Sequence, residues 1–258
     1  MPPTPRSFED HRWMQHALTL AMQIRGHVWP NPPVGCVIVR DGLIIAEGAT
    51  RPGGRPHAER VALDRAGAAA RGATLYVTLE PCCHWGKTPP CAGAIIKAGI
   101  ARVVCALQDP DPRVNGGGFR VLRSAGVDLT TGPGAADAAS VTSGFFWRLR
   151  HGKPEVTVVS EVLDAAPHGV DALLITSCGR FRFLTHRGDM TKDIQTRQTP
   201  SHCLLSRMGA FGLTSVAVHR DDPILDEFSP TLRLEGKRAD GLGTVAAAES
   251  PVTLGKRR

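Results

Sequence analysis

Aromatic residues make up only 5% of this 258-residue chain, too few for the stacking platform on which single-stranded nucleic acid is bound. No apolar run approaches the roughly 18 residues that cross a bilayer, so no membrane partner is expected. The opening stretch MPPTPRSFEDHRW is proline-rich and charged and lacks the apolar centre of a secretory leader. Seven cysteines form an odd set in a chain too long to need covalent staples. A reducing cytoplasm is the expected setting, where clustered cysteines point to metal or redox chemistry rather than disulfides. There is no internal repeat.

What is present suffices for a folded protein. Apolar residues reach 42% and charged residues 21%, enough to build a core. At roughly 150 residues per domain, the length suits one large or two small domains. The net charge is +7, and its excess lies early: residues 1–150 carry 17 Lys/Arg against 11 Asp/Glu, residues 151–258 carry 14 against 13. A phosphate-bearing small substrate would use that excess, but by itself it reads first as an ordinary solvated surface.

Trp13, Met14, Ala17, Leu18, Ala21 and Met22 recur with helical spacing after an N-cap at Ser7, which predicts a helix ending near Arg25–Gly26. Val34–Val39 and Leu43–Ala46 read as strands around an Asp41-Gly42 hairpin turn. Helices are expected over residues 57–70, 91–98, 119–125 and 135–149. Strands are expected over residues 74–79, 103–107 and 127–129. This alternation predicts an α/β domain with helices on both faces of one mixed sheet, ending near His151-Gly152-Lys153-Pro154. Beyond it, residues 156–159, 172–176 and 215–218 read as strands, the segment Arg187–Gln198 is polar and poorly periodic, and residues 236–258 have too little to bury to fold.

Two segments carry chemistry: Pro56-His57-Ala58-Glu59 and Glu80-Pro81-Cys82-Cys83-His84-Trp85-Gly86-Lys87-Thr88-Pro89-Pro90-Cys91. One imidazole and two thiolates supply three of zinc's four tetrahedral positions and leave the fourth for water, the arrangement of a catalytic site. Both segments enter helices, whose positive ends favour thiolates. Two thiolates cancel the formal charge of Zn²⁺, so the water is acidified less than by three histidines and a base is needed. Glu59 is the carboxylate placed to take that proton and to hand it to a departing amino nitrogen, which amounts to hydrolytic deamination. The alternative is a structural zinc site closed by His84 as fourth ligand.

His-x-Glu followed by Pro-Cys…Cys resembles the cytidine deaminase-like zinc deaminases. The eight residues between Cys82 and Cys91, the run Cys-Cys-His-x-Gly-x-Thr-Pro-Pro-Cys and the upstream Asn31-Pro32-Pro33-Val34-Gly35 are similar to the pyrimidine deaminases of riboflavin biosynthesis, through about residues 10–150. The resemblance implies a three-layer α/β/α domain with a mixed sheet and assembly as a homo-oligomer. The implied partner is a small phosphorylated pyrimidine, 2,5-diamino-6-ribosylamino-4(3H)-pyrimidinone 5′-phosphate. It also implies His57, Cys82 and Cys91 as zinc ligands and Glu59 as proton shuttle, with Asn31, His84, Lys87 and Asp109 holding the pyrimidine or the ribose phosphate. A nucleic-acid deaminase and a non-catalytic zinc-binding module are the remaining alternatives.

Residues 153–235 resemble part of the NADPH-dependent reductase to which such deaminases are often fused, a smaller and partial α/β segment. The Asp221-Asp222-Pro223 turn, with Leu225 beyond it, is similar to the reductase's cofactor-facing turn. Yet Thr214-Ser215-Val216-Ala217 stands where that family has Gly-x-Gly-Thr, Val159 or a neighbour replaces a Lys, and Phe228 an Arg. Without the glycines a phosphate cannot approach main-chain N–H groups closely. With only 105 residues after Lys153, short of two βαβ halves, a truncated and inert reductase is expected; a bifunctional enzyme is the alternative. Cys36, Cys105, Cys178 and Cys203 read as buried small side chains and Cys83 as a packing residue. Trp85 reads as a stacking or a packing aromatic, Gly116–Gly118 as a flexible loop, and the histidines other than His57 and His84 as surface or core residues.

Overall fold

Two β-sheets carry the chain, one in each half. The computed structural model describes residues 5–86, 89–177, 180–191, 203–228, 232–234 and 243–247. The first sheet comprises β1 (Gly35–Arg40), β2 (Leu43–Ala49), β3 (Thr74–Val77), β4 (Arg102–Cys105) and β5 (Asp128–Thr131), in the order β2-β1-β3-β4-β5. β1 runs antiparallel to β2 and β3, whereas β3, β4 and β5 are parallel. The β1–β2 turn places Asp41 and Gly42 at φ of 53° and 73°, the conformation that Asp-Gly favours in a two-residue hairpin.

The period-2 alternation of the strands divides the core in two. Cys36, Ile38, Leu75, Val77, Val103 and Cys105 pack against residues of α2 (Ala58–Ala66), α3 (Cys91–Ala98) and α4 (Gly117–Ser124). Val37, Val39, Tyr76 and Val104 meet α1 (Pro5–Gln23) and α5 (Ala135–Val141) on the other face. The result is the three-layer α/β/α arrangement with a mixed sheet.

The second sheet gathers β6 (Glu155–Val159), β7 (Ala172–Ser177), β8 (Arg180–Thr185), β9 (Gly188–Asp189), β10 (Ser215–His219), β11 (Leu232–Leu234) and β12 (Gly243–Ala247), ordered β11-β12-β6-β10-β7-β8-β9. Its centre, β6-β10-β7, is parallel. Helices α6 (Ser143–His151), α7 (Leu204–Phe211) and α8 (Ile224–Phe228) complete this half. Among the described residues, no helix is long and apolar enough to cross a membrane.

Several expectations need correction. The helix anticipated over residues 135–149 is two helices, separated at Thr142, whose Oγ1 donates back to the Ala138 carbonyl at 2.7 Å. That over residues 57–70 ends at Ala66, where Gly67 at φ 53° starts a 3₁₀ turn. Met22, counted on the buried stripe of α1, is 53% exposed. Gly117 and Gly118 open a helix rather than lie in a loose loop. Within the span 236–258, expected to lack structure, Gly243–Ala247 pairs antiparallel with β6; an open strand edge accepts backbone partners whatever their side chains. Residues 236–242 and 248–258 of that span lie outside the described residues, as do Cys178 and residues 192–198 of the polar segment.

One polar cluster ties α1 to the sheet. Both Asp10 oxygens accept from the Arg102 guanidinium at 2.7 Å, and Tyr76 donates to the same carboxylate at 3.1 Å. Asp10 and Arg102 are both buried. Deleting Asp10 leaves the buried Arg102 charge to Thr130 and the more exposed Asp128, so Asp10→Ala is expected to cost about 3 kcal/mol, measured as a fall in the urea unfolding midpoint.

Candidate active site

Two helices begin at one point. His57 precedes α2 with extended backbone, φ −68° and ψ 158°, and Glu59 falls in its first turn. Cys91 is the first residue of α3, behind Pro90. A helix start leaves N–H groups without internal partners, and the loop after β3 supplies them. Cys82 Sγ accepts from the Cys91 amide at 3.3 Å, and the Cys82 carbonyl accepts from the Ala92 amide at 3.1 Å. The hydrogen bond from Cys91, helped by the His57 imidazole and the Cys91 amide, pulls the Cys82 thiol down to about 4. Its partner Cys91 moves the other way, held as a thiol by its bond to Cys82 and by burial.

His57 Nδ1 lies 3.8 Å from Cys82 Sγ and 3.5 Å from Cys91 Sγ. A tetrahedral zinc ion with sulfur at about 2.3 Å and nitrogen at about 2.0 Å separates its donors by about 3.5–3.8 Å. The donor set therefore fits zinc in both chemistry and spacing. Among the described residues, His57, Cys82 and Cys91 are the His, Cys, Asp and Glu side chains that converge this way. His84 is not among them.

His57 and Cys82 border a cleft of about 150 Å³. Glu59, only 4% exposed, lines it; burial pushes its carboxyl up, against the pull of His57. Asn31 and His84 line it too, and Asn31 Nδ2 donates to the Gly54 carbonyl at 2.7 Å and stands 3.3 Å from His57 Nε2. Asp109, the third anticipated substrate contact that can be located, is also there, its carboxyl pushed up to about 6 by burial. Lys87 lies outside the described residues. Asp221 and Leu225 are elsewhere in the second half: Asp221 is exposed in the β10–α8 turn, and Leu225, in α8, packs on that half's core.

Some residues of the site escaped sequence reasoning. Buried Glu80 accepts from the amides of Asp109 at 3.2 Å, Gly116 at 2.9 Å and Phe119 at 3.2 Å, and so fastens the 109–119 segment to the cysteine loop. A β-carbon on Gly118 would collide with the Pro81 carbonyl oxygen, which is why a glycine stands there. Arg55, the Asp111–Arg113 pair and Phe145 of α6 also line the cleft. The one sequence signal for any of these was the position of Glu80 beside Pro81-Cys82. Cys83 packs near Gly117 and the Arg113 carbonyl, Cys36 and Cys105 are fully buried, and Trp85 is 77% exposed.

Residues 7–107 match the family described as the cytidine and deoxycytidylate deaminase zinc-binding region. The chain is 41% identical over 236 residues to riboflavin biosynthesis protein RibD of Haemophilus influenzae, covering 90% of this chain and 60% of that one. It is 44% identical over 145 residues to the diaminohydroxyphosphoribosylamino-pyrimidine deaminase of Buchnera aphidicola, 56% of this chain and 99% of that protein. RibD of Acinetobacter baumannii superimposes with a TM-score of 0.69 at 25% identity, over 94% of this chain and 99% of that structure. The likeness thus runs through the zinc-binding segments and into the second sheet, and this chain belongs to the riboflavin-biosynthesis pyrimidine deaminases of the cytidine deaminase-like family.

Proposed function

We propose that this chain is a zinc-dependent aminohydrolase acting on 2,5-diamino-6-ribosylamino-4(3H)-pyrimidinone 5′-phosphate. The products are 5-amino-6-(5-phosphoribosylamino)uracil and ammonia. The observation that carries the reading is one imidazole and two sulfurs at tetrahedral spacing, with buried Glu59 on the cleft that His57 and Cys82 border. His57, Cys82 and Cys91 would hold the zinc, which when bound supplies the Lewis acidity that makes water nucleophilic at neutral pH.

The chain's own groups do the rest. Glu59 sits where water is scarce, so its carboxyl is a ready proton acceptor and donor. It takes a proton from the attacking water and delivers it to the exocyclic nitrogen; as the C–O bond forms the C–N bond breaks, and ammonia leaves. Asn31, His84 and Asp109 line the walls against which the pyrimidine is oriented, and Lys87 belongs to the ribose-phosphate end of this proposal. A cytoplasmic setting and a homo-oligomer are part of the same reading.

The second half is proposed to be catalytically silent. At the position of the missing glycines, the Thr214 and Ser215 amides donate to the buried Asp171 carboxylate at 2.6 and 3.1 Å, and Thr214 Oγ1 adds a bond at 2.7 Å. Main-chain donors that a cofactor phosphate would need are thereby occupied by an internal acceptor.

Glu59→Gln is expected to keep full zinc content and the native fold while ammonia release falls by about 10²–10⁴; unchanged turnover would reject the assignment. NADPH oxidation with the deaminated product is expected to stay at background, and a rate matching ammonia release would establish a bifunctional enzyme instead. Asp109 gives a pH signature. Its folded pKa lies above the unfolded value, so the native state binds the extra proton and this group's contribution to stability declines as pH rises from about 4 to about 6. Relative to Asp109→Asn, the wild-type chain should therefore lose roughly 1–3 kcal/mol across that interval, read from urea denaturation at each pH.

A further inference from the structure

The segment from Gly26 to Asn31 leads from α1 into the active-site loop, and the second half of the chain grips it. Trp29 is buried in the core of that half, in one cluster with Phe183, Met208 and Leu213. Arg187, in the β8–β9 turn, donates through Nη2 to the carbonyls of His27 at 3.2 Å and Trp29 at 2.7 Å. Its guanidinium carbon stands 3.9 Å from the centre of the Trp29 ring, a cation–π distance. Arg148 of α6 donates through Nη2 to the Pro30 carbonyl at 2.9 Å. Gly26, at φ 81°, lies so close to the second half that a β-carbon there would meet the Val170 carbonyl oxygen at 2.5 Å. The next residue along, Asn31, is the one that reaches Gly54 and His57 Nε2.

We propose that Arg187 is a positioning residue of the deaminase site. With Arg148 it locks the carbonyls of residues 27, 29 and 30, and by doing so sets where Asn31 meets His57 and the cleft. Two guanidinium groups fix three carbonyls along four residues, which leaves the following side chain little freedom to wander. A guanidinium is a rigid planar fork that also stacks on an indole; an ammonium offers a single mobile point and cannot do both. The second half, lacking reductase chemistry in our reading, thus acts as the wall against which the deaminase half sets one of its substrate contacts. This inference rests on the function proposed above for its kinetic consequence, though not for its structural one.

The test uses the full zinc-loaded chain and compares wild type with Arg187→Met and Arg187→Lys. Arg187 is exposed at the surface of its turn, and circular dichroism melting establishes that each variant is folded. Hydrogen–deuterium exchange of peptides covering residues 24–34 should quicken by at least about five-fold in Arg187→Met, with exchange in β3 and β4 unchanged. Ammonia release should show KM for the pyrimidine raised by about ten-fold while kcat stays within about two-fold, and Arg187→Lys should recover part of the loss in KM. Zinc content should not move. Unchanged exchange at residues 24–34, or faster exchange with KM unaltered, overturns the proposal. If exchange quickens but the wild-type chain itself releases no ammonia, the substrate assignment fails and the clamp stands.

Discussion

Two helix starts converge on one spot, and the rest of the chemistry depends on that meeting. The N-terminal ends of α2 and α3 both carry partial positive charge, so bringing them together costs energy unless an anion lies between. Cys82, whose thiol is pulled well down by its hydrogen bond from Cys91, is the group placed to supply it. It caps α3, lies beside His57 at the head of α2, and is the acidic member of the sulfur pair. A divalent cation added to this place finds its donors already spaced for it, so little rearrangement opposes binding. The same convergence sets Glu59 in the first turn of α2, buried, on the wall of the cleft.

Around this centre, backbone amides rather than side chains hold the loops in place. Glu80 collects three amides from the 109–119 segment, and the position of Asp109 follows from that anchorage. A buried carboxylate satisfied by several N–H groups makes a stiff joint, because losing any one bond leaves charge poorly compensated. The cleft thereby has one wall built from the cysteine loop, a second from the segment tied to Glu80, and a third from residues 31–34, which the second half of the chain supports.

Much of the first half was legible beforehand, and for identifiable reasons. Short apolar runs over residues 34–39 and 74–79 mark buried strands without telling their two faces apart, Asp41-Gly42 gives the hairpin, and His57, Glu59, Cys82 and Cys91 declare themselves by residue type and spacing. What stayed hidden depends on long-range contact. Glu80 could be seen beside the cysteines, but its partners lie 29 to 39 residues away. Thr142 bonds back to Ala138 and divides a helix whose apolar pattern runs on unbroken. The β8–β9 hairpin carries its apolar residues, Phe181 and Phe183, between arginines, a pattern that reads as surface until Trp29 is seen packing in the same core as Phe183. Arg187 and His27 are 160 residues apart, and no local periodicity links them.

The indole of Trp29 ignores the border that the two sheets suggest. Cutting the chain near residue 152 would leave a large ring, and the glycine-bearing bend that delivers it, facing water beside the metal-binding loop. Heat should therefore dismantle both halves in a single cooperative transition, since neither can shed the other without baring its own interior. Anyone trimming or grafting this chain must treat the indole and its socket as one transplantable part.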